Sequence, residues 1–220
     1  MEDIMLYRLK EPGSAITHFI GMVMALFAAL PLLLKAHRQA NPMCTIALAI
    51  FICSMFLLYT ASTAYHSFDL SERINRILKK LDHMMIFVMI AGSYTPICLL
   101  VLGGALGKRL FILIWSIALV GMALKAFWVY CPKWFSSILY IAMGWTCVLA
   151  FSPIIQALPA MGFYLLLAGG ILYTVGGVVY ALKLPLFNSR HKNFGSHEIF
   201  HLFVLAGSIC HFFVMYQYVI

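Results

Sequence analysis

The chain has 220 residues, 64% of them apolar and only 10% charged, with a formal net charge of +8. An ordinary soluble domain is about half apolar and a quarter charged, so that class is excluded, and so is disorder, which needs low hydrophobicity. At roughly 20 apolar residues per membrane-spanning helix, this length holds about seven helices with short loops and no sizeable soluble domain.

The first eleven residues carry Glu2, Asp3 and Glu11, and the apolar run after them is too long for the core of a signal peptide. The first span, over residues 14–34, is therefore expected to stay in the membrane, with Glu11 read as its helix cap. The second covers 42–68 and starts at Pro42, where proline is tolerated. A polar loop is expected over 69–80. The third span, over 81–102, begins with Asp82 and His83. The fourth covers 110–130; its Lys125 lies about a turn inside and is expected to snorkel to the interface. The fifth and sixth cover 135–155 and 161–182, after Pro132 and Pro159. A second long polar loop, 183–196, leads into the last span, 197–218. These runs are apolar on both phases of a two-residue period, so a membrane β-barrel is excluded. The fold expected is an all-α integral membrane bundle of seven helices in a single domain. The six cysteines lack C-x-x-C pairs and mostly sit in apolar runs, so they read as small core residues and not as disulfides.

Seven spans place the termini on opposite sides. Arg8, Lys10, Arg73, Arg76, Lys79, Lys80, Lys125, Lys133, Lys183, Arg190 and Lys192 fall on one side, and Lys35, Arg38, Lys108 and Arg109 on the other. Eleven basic residues against four puts the N-terminus in the cytoplasm and the C-terminus outside. The positive charge thus sets orientation and calls for no nucleic-acid partner.

Ionisable groups inside spans mark candidate sites. His197 and His201 are spaced i, i+4 and share one face of the last helix. Ser62 and His66 have the same spacing at the end of the second. Asp82 starts the third, where helix capping alone could account for it. The topology puts all three clusters at one membrane depth, on the cytoplasmic side. Three histidines and a carboxylate suffice for a zinc site with a position open to water, and zinc lowers the pKa of such a water to about 7. Asp82 would orient or deprotonate the water, and Ser62 would bond to it or to a developing oxyanion. Glu11, Ser14, Thr17 and His18 lie nearby on the first span. His197–His201 also reads as H-E-x-x-H, the metalloprotease helix. Position 207 is glycine, no acidic residue follows Glu198, and Glu198 is expected to point away from the two-histidine face, so the protease reading is set aside.

Ser62-x-x-x-His66, Asp82 and His197-x-x-x-His201 together resemble the signature of the progestin and adipoQ receptor family, a group related to alkaline ceramidases. The resemblance extends to Glu11-Pro12-Gly13-Ser14-Ala15-Ile16-Thr17-His18, to Tyr65-His66-Ser67-Phe68 and to Ala91-Gly92-Ser93-Tyr94-Thr95-Pro96. The compact length is similar to the bacterial hemolysin III branch, which implies a bacterial cytoplasmic membrane. The resemblance implies that His66, His197 and His201 bind zinc, that Asp82 reaches it through water, and that the N-terminus is inside. His83 stands where animal receptors have an aromatic residue. The short N-terminus leaves no place for hormone docking, so hormone reception is not carried over.

The metal-site residues favour a zinc-dependent hydrolase; the resemblance implies a lipid amide or ester as its substrate, membrane lipids as partners and a role in membrane lipid homeostasis. A non-enzymatic sensor or homeostasis protein with structural zinc and a pore-forming cytolysin are the alternatives. A proton or ion transporter ranks below them, because only His211 lies toward the far half of the bilayer. Phe203, Phe212, Tyr173 and Tyr180 are as well explained by helix packing as by a lipid cavity and receive no role.

Overall fold

A computed structural model describes residues 9–182 and 195–220. Glu2, Asp3, Arg8, Lys183, Arg190 and Lys192, used in the sequence arguments above, lie outside them, as does nearly all of the second polar loop. The described residues form helices and no strands, as lipid demands of open segments whose backbone groups must bond internally.

Among the described residues, seven helical segments are long and apolar enough to cross a membrane. They are α1 (Pro12–His37), α2 (Pro42–Ser67), α3 (Glu72–Pro96), α4 (Gly104–Phe127), the broken pair α5 (Lys133–Gly144) and α6 (Phe151–Ala157), α7 (Ala160–Leu182) and α8 (Ser196–Val214). Pi-helical turns extend α3 over Ile97–Leu102 and α8 over Met215–Val219. Gly103 and Gly104, at φ 58° and 51°, then reverse the chain into α4, a backbone conformation that costs glycine nothing.

Two expectations change here. The polar stretch 69–80 is mostly helix, because Ser71 caps the amide of Ile74, Glu72 pairs with Arg76 one turn on, and Ile74, Ile77 and Leu78 repeat at helical spacing. Asp82 therefore lies ten residues inside α3, and capping does not explain it. Lys125 does not snorkel. It is fully buried and donates to Ser136 Oγ at 2.5 Å and Cys131 Sγ at 2.9 Å, because the start of the fifth span folds polar partners over it.

The fifth span breaks in its middle into a 3-10 turn over Trp145–Ala150. Tyr94 of α3 fills the gap in the ladder. Its hydroxyl donates to Gly144 O at 2.5 Å and accepts from the Cys147 amide at 2.7 Å, so the freed backbone groups stay paired.

The helices pack α1 on α2, α2 on α3, α3 on α4, α5 on α7, α7 on α8, and α8 back on α1. Without a hydrophobic drive between helices in lipid, small residues allow close approach. Gly21 lies against the Tyr59 ring, Gly92 against Ser54 and Gly121 against Phe87. Phe51, Tyr59, Phe87 and Ile114 fill the interior, while Phe27 and Phe127 face outward. All six cysteines are free. A cavity of about 170 Å³ runs between α2, α3, the fifth span, α7 and α8.

Candidate metal centre

The centre is assembled at the end of the bundle where α1 and α8 begin and α2 ends. The last carbonyls of a helix have no partner within it. In α2 those of His66 and Ser67 accept the amides of Glu11 (2.9 Å) and Lys10 (3.3 Å). The chain ahead of α1 is thereby laid along the end of α2, and Glu11 is delivered to His66. Its Oε2 lies 2.6 Å from His66 Nδ1. Glu11 makes no side-chain cap on α1, so the capping role expected for it is wrong. The His66 hydrogen bond holds its carboxyl below the usual range.

At the start of α8, Glu198 Oε2 accepts the Gly195 amide at 2.7 Å, and Oε1 accepts from Ser14 Oγ at 2.8 Å. Glu198 thus ties α8 to α1. It is occupied, which removes the general base of the protease reading. One turn on, His201 Nδ1 lies 3.2 Å from the Ser14 carbonyl. A carbonyl only accepts, so Nδ1 carries the proton and Nε2 the lone pair.

His66, His197 and His201 each offer a ligand atom within 4.8 Å of the other two. Both Nδ1 atoms of His66 and His201 are engaged, which leaves Nε2 of each. His66 Nε2 and His197 Nε2 are 3.3 Å apart. Two nitrogens bound tetrahedrally at 2.0–2.1 Å from zinc would lie about 3.3–3.4 Å apart. A metal-bound imidazole usually donates its other nitrogen to a carboxylate or a carbonyl; His66 has Glu11 and His201 has Ser14 O. The donor set therefore fits zinc in chemistry, spacing and support.

Asp82 is buried and lines the same cavity, outside that close trio. His83 Nδ1 is 3.3 Å from Asp82 Oδ2, while the His83 carbonyl accepts from Tyr140. Ser62 is fully buried on the cavity wall, with its hydroxyl unpartnered. The sequence clusters thus converge. The reading from sequence missed the Glu11–His66 pair, although a carboxylate behind a ligand histidine is the general rule and few acids were available. It also gave no role to His18, whose ring stacks on His201 at 3.6 Å and whose nitrogens are both unpartnered. Tyr173 and Tyr180 do line the cavity, together with Phe200.

A trio of histidines from the second and last helices, with the first helix packed behind them, in a seven-helix membrane bundle among the described residues defines a class that sequence comparison identifies. Residues 6–212 match the family described as haemolysin-III related, and the chain belongs to it. Hemolysin-3 of Bacillus cereus is 38% identical over 211 residues, covering 96% of this chain and 92% of the relative. A hemolysin-3 homolog of Bacillus subtilis is 38% identical over 209 residues, covering 95% and 94%. The adiponectin receptor protein of Drosophila melanogaster is similar at 22% identity, over 92% of this chain and 49% of the relative. The chain is a multi-pass membrane protein similar to bacterial hemolysin-3 and, distantly, to adiponectin receptors.

Proposed function

We propose that this protein is a zinc-dependent hydrolase of a lipid amide or ester, seated in a bacterial cytoplasmic membrane and acting in membrane lipid homeostasis. The observation that carries the reading is the convergence of three histidine nitrogens, two with supported tautomers, at one end of a largely apolar cavity. His66, His197 and His201 would hold the metal through Nε2. When bound, zinc supplies a Lewis acid and lowers the pKa of water to about 7.

The chain's own groups account for the remaining chemistry. The Asp82 carboxylate would take the proton of an attacking water and return it to the leaving amine or alcohol as the acyl bond breaks. The Ser62 hydroxyl, with no internal partner, would donate to the oxyanion that develops on the carbonyl. The apolar walls would hold the acyl chain and keep bulk water out. The positive-inside count supports placing this centre toward the cytoplasm.

Metal content of the detergent-purified protein tests the reading. About one zinc per chain is expected in the wild type, with loss in His66→Ala, His197→Ala and His201→Ala. Asp82→Ala should keep zinc and lose lipid turnover by about a hundredfold or more. A wild type that stays metal-free after zinc is supplied would overturn the proposal. Zinc without turnover on any lipid amide or ester would favour a structural metal.

The name of the Bacillus cereus relative, hemolysin-3, supports a second reading, a pore-forming cytolysin. Purified protein should then release small dyes from liposomes with a defined size cutoff, and His66→Ala should leave the release intact.

A further inference from the structure

Lys125 stands apart from the other polar groups that the spans bury. Ser54, Thr95 and Ser208 donate to carbonyls of their own helices, and the buried histidines other than His211 gather at the metal centre. Lys125 is fully buried, and among the described residues no carboxylate lies within ion-pair distance of it. A buried cation without a counter-ion is costly, and a lysine inside a span is rare. In place of a carboxylate the fold supplies a thiol and a hydroxyl.

Nζ of Lys125 lies 2.9 Å from Cys131 Sγ and 2.5 Å from Ser136 Oγ, and those two acceptors are 3.2 Å apart. The nitrogen and the sulfur are thus inside van der Waals contact. Cys131 is itself buried. It sits in the short connection between α4 and α5, which turns the thiol back onto the last turn of α4. The Tyr140 ring closes another side, 5.7 Å from Nζ. A lysine beside a cysteine is among the surroundings that favour oxidation at sulfur.

We propose that Lys125 and Cys131 form a redox-controlled covalent bridge, in which one oxygen atom joins Nζ to Sγ. The oxidant is dioxygen, an apolar molecule that dissolves in the bilayer and reaches a pair closed to water. In the balanced step, Lys–NH2 and Cys–SH react with O2 to give Lys–NH–O–S–Cys and H2O. One N–H and one S–H bond break, and an N–O and an O–S bond form. Nitrogen and sulfur each give up two electrons, and the second oxygen atom leaves as water with the two hydrogens. Two bonds about an oxygen span slightly less than the separation already present, so the helices hardly move. The product is neutral, which removes the buried cation. Two molecules of a dithiol return the four electrons and regenerate amine, thiol and water. The bridge fastens the end of α4 to the start of α5. Ser137 and Tyr140 of α5 line the cavity, and Tyr140 holds the His83 carbonyl beside Asp82, so oxidation acts on the wall of the candidate site.

Exact-mass peptide analysis of the full-length, detergent-purified protein tests the bridge. One half of a sample is kept anaerobically with dithiothreitol and the other in air-saturated buffer. Reductant is removed, and both halves are denatured, alkylated with iodoacetamide and digested. In the air-exposed half trypsin should no longer cut after Lys125, and Cys131 should escape alkylation. The peptide carrying both should have gained one oxygen and lost two hydrogens. Chymotrypsin, cutting at Phe127, Trp128 and Tyr130, should leave the Lys125 and Cys131 fragments joined. Treating the air-exposed half with dithiothreitol should restore both side chains. Lys125→Met and Cys131→Ser should abolish the link, and the comparison of the two wild-type halves stands even where a variant fails to fold. Full alkylation of Cys131 in both halves would overturn the proposal. Oxidation of Cys131 at sulfur alone, with trypsin still cutting after Lys125, would overturn it as well.

Discussion

Glu11 is the residue whose role changed most between sequence and structure. As a cap it would have stabilised one helix end. As the partner of His66 Nδ1 it orients an imidazole and sets its tautomer. Removing such a partner typically weakens metal affinity 10- to 100-fold. Glu11→Gln is therefore expected to lower zinc affinity by about that factor, read by competition with a chromogenic chelator, while His211→Phe leaves it unchanged. The pH dependence follows from the depressed carboxyl. A carboxylate with a lowered folded-state pKa contributes above its unfolded value, near 4.3 for glutamate, and loses that contribution as pH falls through the folded value. In the metal-free protein, the stability advantage of the wild type over Glu11→Gln, read from the unfolding midpoint, should thus be complete at neutral pH and be lost only in acid, as pH falls below the ordinary glutamate range. An advantage that disappears between pH 6 and 7 would assign it to another group.

At the scale of the element, α2 and α3 form a close crossing that bears on the site, since one carries His66 and Ser62 and the other Asp82. Gly92 has the Ser54 side chain directly over it, and Ser54 is itself held by a 2.7 Å bond to Phe51 O. A larger residue there must push the helices apart. Gly92→Val is expected to cost about 1–3 kcal/mol by overpacking, seen as a lowered midpoint of thermal unfolding in detergent. Gly170, with open space around its ideal Cβ position, supplies the control, and Gly170→Ala should leave the midpoint nearly unchanged. Helical periodicity exposes such an interface poorly. Every face of these helices is apolar, whether it meets lipid or protein, so the pattern that separates inside from outside in a soluble helix is missing. The same uniformity hid the 3-10 break at Trp145, which depends on Tyr94 of another helix to satisfy its backbone.

For the whole molecule, the orientation proposed from charge can be measured directly. A reporter enzyme active only outside the cytoplasm, fused after Ile220, should be active, and the same reporter fused before residue 9 should be silent. The reverse pattern would place the metal centre on the outer face. If one ion joins the start of α8 to the end of α2, metal also stabilises the folded bundle. Chelation should then lower the unfolding midpoint of the wild type and leave that of His201→Ala where it was.

The number of spans, their helical form and the histidine pairs could be read directly from the chain. Apolar runs long enough for a bilayer leave few alternatives to a helix, and i, i+4 spacing is a local property. The histidine trio was also within reach, because alternating spans bring the end of α2 and the starts of α3 and α8 to one depth. Other features depend on contacts that no local rule contains. The α2 carbonyls draw Glu11 to His66, Ser136 and Cys131 enclose Lys125, and the early start of α3 moves Asp82 off a helix end. His211 shows the division most clearly. Its place on α8 is a matter of counting residues. That one of its nitrogens is spent on the Leu166 carbonyl and the other buried without a partner was decided only when α7 packed against α8.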